Sequence, residues 1–164
     1  MEKQTETTLR ENLQQLVCEA LSESLSEAEE GHCTEISLRV MEDGGLEITD
    51  NGRGIPLSGN SQADRAILDK ILSGRPVSNL EYSQMGDFSH MGMQAVNSLC
   101  ESLSLCVWRD GLRFRQDYVR GIPQHEIISC PCDHPSGTRI LMRPYRAIFG
   151  ELRFSCEQLR EWLD

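Results

Sequence analysis

Asp50-Asn51-Gly52-Arg53-Gly54-Ile55-Pro56 is the stretch whose residue types and spacing could do chemistry. Asp50 follows the alternating run Leu46-Glu47-Ile48-Thr49, so it stands at the end of a predicted strand. A carboxylate there can accept a hydrogen bond from an exocyclic amine. Gly52 and Gly54 add no Cβ bulk, which lets backbone approach a flat ligand closely. Ile55 and Pro56 can form an apolar wall beside it. The plain alternative is a surface turn closing a strand, because Asp-Asn-Gly is strong turn chemistry. A second group, Cys130-Pro131-Cys132 with His134, has metal-ligand residue types. It lacks the second ligand pair that structural zinc normally uses, so no metal site is expected there.

The elements that must position the Asp50 loop follow from periodicity. Leu9, Leu13, Leu16, Val17, Ala20, Leu21, Leu25 and Ala28 recur at helical spacing and predict one long helix over 8–29. Ile36, Leu38 and Val40 alternate with polar residues as a half-buried strand. Glu42-Asp43-Gly44-Gly45 predicts a hairpin turn into 46–49. A second helix is expected over 63–72, with Ala66, Ile67, Ile71 and Leu72 on its apolar face, and a third over 93–103. Between them, residues 73–92 are polar and lack apolar periodicity, which predicts a functional or mobile segment. Asp110-Gly111 predicts a hairpin between strands 103–108 and 112–119. Further strands are expected at 125–129 and 138–142, and a terminal helix at 154–163. This order fits one domain over 1–164: an α+β two-layer sandwich, with a mixed, mostly antiparallel sheet and helices on one face.

Composition narrows the function classes. The 164 residues suffice for one core, and 38% hydrophobic with 26% charged residues describes a globular chain. The net charge of −10 argues against direct nucleic-acid binding, which needs a clustered basic surface. No apolar run approaches the ~20 residues of a membrane span, so no membrane partner is expected. The N-terminus has no signal-peptide pattern, and the seven cysteines read as reduced thiols. A cytoplasmic location is the expectation.

The seven-residue string from Asp50 to Pro56 resembles the adenine-binding motif of the GHKL (Bergerat-fold) ATPases. Its wording is closest to the N-terminal ATPase domain of the DNA gyrase B and topoisomerase IV type. The resemblance covers roughly residues 12–163, in family order. It implies that Asp50 receives the adenine amino group and that Gly54 lines the ring through a bound water. It also implies that Thr138, in Ser136-Gly137-Thr138-Arg139-Ile140, completes that polar cluster. Ile48, Ile55, Ile67 and Ile140, with Pro56, match the apolar walls. Arg53 and Arg109 match the two arginines at the pocket mouth. Glu19 matches the glutamate that activates water for attack on the γ-phosphate.

The same resemblance marks departures at the phosphate end. Glu23 stands where the family has its magnesium-holding asparagine, one turn after Glu19. A second carboxylate there would repel phosphate, by about 4 kcal/mol per unit pair at 4 Å and an effective dielectric near 20. Magnesium is therefore not expected to be held in the family's manner. In the glycine loop Gly86 and Gly92 match, whereas Asp87 and His90 fall at glycine positions. Pro76 replaces a lid lysine. The N-terminal dimerisation arm and the transducer domain are expected to be absent. Together these imply a domain that binds ATP or ADP and hydrolyses weakly or not at all alone. The alternative is a non-catalytic interaction or regulatory protein that does not need nucleotide, with a topoisomerase-related protein as partner. A sensor-kinase or anti-sigma relationship fits less well, since no phosphoacceptor-histidine helix is visible.

Overall fold

Alternation and turn chemistry dictate a sheet, and the long helix covers one face of it. The computed structural model describes residues 6–72 and 92–163. Seven strands are described: β1 (Ile36–Val40), β2 (Leu46–Asp50), β3 (Cys100–Arg109), β4 (Leu112–Val119), β5 (Ile122–Pro123), β6 (Ile128–Pro131) and β7 (Gly137–Pro144). Their order is β1-β2-β7-β3-β4-β5, with β6 also pairing β4. Every described pairing is antiparallel. The chain-distant strand β7 lies between β2 and β3 and sets the site, because it puts Thr138 opposite Asp50 and Ile140 opposite Ile48.

The helices are α1 (Glu6–Glu29), α2 (Ser61–Ile71), α3 (Gly92–Ser98), α4 (Arg146–Phe149) and α5 (Cys156–Leu163). The core joins Leu13, Leu16, Val17 and Leu21 of α1 to Leu46 and Ile48 of β2. It continues through Leu103, Leu105 and Val107 of β3, Phe114 and Tyr118 of β4, and Met142 of β7. Those strand residues share one face by alternation. The other face carries Arg39, Arg113, Arg115, Arg139 and Arg143, on β1, β4 and β7, with Arg139 and Arg115 flanking Cys106 in one row. The α+β sandwich expected from the element order is the observed architecture.

Several boundaries differ from the sequence expectation. The third helix stops at Ser98, and β3 begins at Cys100 rather than 103. Leu99, Cys100 and Leu103 fit a helical stripe, but β3 gains ladder partners on both sides, from β4 and β7. The strand expected at 125–129 lies at Ile128–Pro131, after the short β5. The four-residue α4 was not anticipated. Both predicted hairpins form, and Asp110 and Gly111 take φ of 51° and 78°, as a tight two-residue hairpin turn requires. The segment expected to be mobile, 73–92, lies outside the described residues except for Gly92.

Candidate binding cavity

Asp50 and Asn51 divide the labour of the loop. Asn51 points to the far side, where its Oδ1 accepts the Thr34 and Glu35 amides at 2.9 and 3.0 Å. Its Nδ2 donates to Thr34 Oγ1 at 2.8 Å. The loop is thereby tied to the start of β1. Asp50 points into a cavity of about 360 Å³ between α1 and the sheet. Its Oδ1 accepts the Gly52 amide at 2.9 Å, and its Oδ2 accepts the Ser24 hydroxyl at 2.6 Å. The string is thus more than a surface turn: one side chain anchors the fold and its neighbour faces open space.

The cavity floor is made by strand register. Ile48 and Asp50 of β2 lie beside Ile140 and Thr138 of β7, and Leu105 of β3 sits opposite Ile140. Two glycines make this geometry sterically feasible. A Cβ on Gly137 would collide with the carbonyl oxygen of Asp50, so β7 can pass this close to β2 only without a side chain there. Gly54 has φ of 80°, and its Cβ would meet Val107 Cγ1 at 3.0 Å. Ile55 and Pro56 continue the wall, and Ile71, Leu72 and Met93 close the side formed by α2 and α3. An apolar slot with a few placed polar groups is how small planar molecules are usually held.

The mouth is charged and internally tied. Glu27 accepts from the Arg53 backbone amide at 2.9 Å, from its Nε at 3.2 Å and from its Nη2 at 2.7 Å. Glu30 adds a longer contact to Nη2 at 3.3 Å. These hydrogen bonds from Arg53 hold the Glu27 carboxyl down at about 2, against an ordinary 4.5. Arg109 donates to the carbonyls of Gly54 and Arg53 at 3.0 and 3.3 Å. Glu23 lines the cavity at its exposed lip.

The structure brings together most of the residues singled out from sequence. Ile48, Asp50, Arg53, Gly54, Ile55, Pro56, Arg109, Thr138 and Ile140 line one cavity, with Glu23. Ile67 does not line it; it packs, partly buried, against the core. Glu19 is half-buried on α1 and is not among the lining residues. Gly92 opens α3 at φ 80° and does not line the cavity. Gly86 lies outside the described residues. Sequence reasoning missed Ala20, Ser24 and Glu27, yet these sit at i, i+4 and i+7 on one helix face, a spacing that could have found them. At the other candidate group, the His134 ring stacks on Trp108 at 4.3 Å, and its amide contacts Cys132 Sγ at 3.5 Å. Among the described residues no three His, Cys, Asp or Glu side chains cluster as metal ligands. No described helix is long and apolar enough to cross a membrane.

No protein-family model matches the chain. The DNA gyrase B protein of Thermotoga maritima is 33% identical over 161 residues, covering 96% of this chain and 25% of that protein. The Haloferax volcanii gyrase B is 34% identical over 159 residues, covering 92% and 25%. The chloroplastic/mitochondrial gyrase B of Oryza sativa is 32% identical over 147 residues, covering 84% and 20%. The chain thus spans a quarter or less of the length of these relatives. Among solved structures, the 43K ATPase domain of Thermus thermophilus gyrase B, in complex with an aminocoumarin, superposes with a TM-score of 0.67. It is 31% identical and covers 89% of this chain and 37% of that one.

Proposed function

The chain is a GHKL (Bergerat-fold) domain of the DNA gyrase B family, and on that premise we propose that its cavity binds the adenine ring of ATP or ADP. The observation that carries this reading is the Asp50 carboxylate. It is fixed by Ser24 and Gly52 at the floor of an apolar slot, with acceptor capacity left for an amine. Ile48, Ile55, Leu105 and Ile140 would cover the ring faces, and Thr138 would complete the polar end.

Hydrolysis by this chain alone is weak or absent in our reading. Phosphoryl transfer depends on positioning and charge stabilisation. Glu19, the candidate base, stands outside the lined cavity, and Glu23 brings negative charge to the lip. The described donors fit magnesium poorly. The Glu27 oxygens are engaged by Arg53 and the Asp50 oxygens by Ser24 and Gly52, which leaves Glu23, among the described residues, as the one lining carboxylate with no such partner.

A second reading is an interaction module that needs no nucleotide. It is favoured by the mouth, where both arginines are already occupied within the chain. Calorimetric titration with ATP, ADP and adenosine, each with and without magnesium, separates the two. Binding of all three supports the adenine cavity. Binding of none supports the interaction module.

A further inference from the structure

Serine inside a helix usually turns its hydroxyl back to a carbonyl of the preceding turn. Ser22 does this with the Glu19 carbonyl at 2.8 Å, and Ser98 with the Gln94 carbonyl at 2.9 Å. Ser24 does not. Only 5% exposed, it sends its proton to Asp50 Oδ2 at 2.6 Å, 26 residues away in the chain. A hydroxyl has one proton and two acceptor sites. With the proton committed to Asp50, Ser24 Oγ can only accept. The Asp50 carboxylate can only accept as well, and its Oδ1 already takes the Gly52 amide. Both side chains line the cavity. The pair therefore presents two adjacent acceptors and no donor.

The matching ligand group is one with two N–H bonds on one nitrogen, an aromatic primary amine. A ring carbonyl placed there would face lone pairs on both sides and find no proton. A hydroxyl free to rotate would accommodate either group, and the Asp50 contact removes that freedom. We propose that Ser24 is a specificity-determining residue: it doubles the acceptor character of the cavity floor, so that the site selects an amino-purine over an oxo-purine. This rests on the adenine reading above. Asp50 supplies part of the selection by its charge, and Ser24 supplies the acceptor for the second N–H.

The test is titration calorimetry of the whole chain with ADP and with inosine diphosphate, which carries a carbonyl in place of the amine. Ser24→Ala should weaken ADP about tenfold, the worth of one hydrogen bond in such a site, and leave the inosine nucleotide unchanged. Discrimination then narrows by the same factor. Ser24→Thr, which keeps the hydroxyl, should restore the wild-type ratio to within about threefold. Ser24→Cys fills the same space with a weak donor and acceptor and should behave like alanine, which covers the case of an alanine variant that does not fold. If Ala or Cys weakens both nucleotides equally, or changes neither, Ser24 is a packing residue and the proposal fails while the adenine reading stands. If the wild-type chain binds neither nucleotide nor adenosine, the adenine reading itself falls and takes this inference with it.

Discussion

The floor and the mouth of the cavity are held by different forces. At the floor, strand register places Thr138 against Asp50 and Ile140 against Ile48, and neutral donors aim the one carboxylate. At the mouth, geometry depends on an ion pair, Glu27 with Arg53, and on a guanidinium resting on two carbonyls. Ladder pairing is cooperative, and a buried hydrogen bond is not screened. An exposed ion pair typically contributes about 0–1 kcal/mol and weakens with salt. A chain built this way can lose phosphate chemistry at its mouth while keeping a shaped floor. The two supports meet in the Asp50–Gly54 loop and on one face of α1, but they differ in kind, strand register at the floor and an ion pair at the mouth.

The sharpest way to break the floor is Gly137→Ala. Its Cβ meets the Asp50 carbonyl, so one strand must move away from the other. Overpacking of this kind costs about 1–3 kcal/mol, and the upper end is expected where backbone is the obstacle. Urea denaturation should show the loss, and ADP binding should fall with it; a wild-type melt would refute the picture. Next is Asp50→Asn, which can turn a donor toward the amine. It should weaken ADP by roughly 1–3 kcal/mol, read by calorimetry. Equal affinity for variant and wild type would remove Asp50 from the base contact.

The mouth should respond less. ATP and ADP should bind within about threefold of each other, phosphate release should stay at background, and Glu23→Asn alone should not bring full turnover. Sustained magnesium-dependent hydrolysis, abolished by Glu19→Ala, would overturn this. The smallest effect concerns pH. Glu27 is held at about 2, below its ordinary 4.5, so its stabilising contribution is fully present above 4.5 and is lost as pH falls toward 2. Glu27→Gln should flatten the stability profile in that window, read by urea denaturation at stepped pH. A profile unchanged by the substitution would mean that the pair contributes nothing.

The floor was also the more legible region in the sequence. Alternation in Leu46–Thr49, the Asp50 string and Gly137-Thr138 all mark local chemistry, and they supply the lining residues Ile48, Asp50, Gly54, Ile55, Pro56 and Thr138. The supporting residues were harder to see. Ser24 reads as polar filler in a helix, because nothing in its neighbours announces a partner 26 positions away. Leu105 and Met93 read as core, since apolar type does not distinguish a packed face from a cavity wall. Ile67 shows the converse: the resemblance gave it a wall position, whereas it packs against the core one turn before Ile71 and Leu72, which line the cavity. The strand start at Cys100 was hidden because apolar residues at 96, 99, 100 and 103 satisfy both periods, and only the ladder partners decide between them.

The cavity is assembled from α1, β2 and the loop after it, the ends of α2 and α3, and strands β3 and β7, from Ala20 to Ile140 along the chain. No hairpin or single helix contains a usable fragment of it. The site therefore does not exist until the β2–β7 ladder closes the largest loop in the sheet, which is the kind of contact that forms late and slowly. A ligand that recognises only the closed form has no purchase on the chain while it is still searching. Adding ADP should leave the refolding rate in stopped-flow dilution unchanged and slow unfolding in proportion to the binding free energy, so that occupancy acts as a brake on opening rather than a guide to folding.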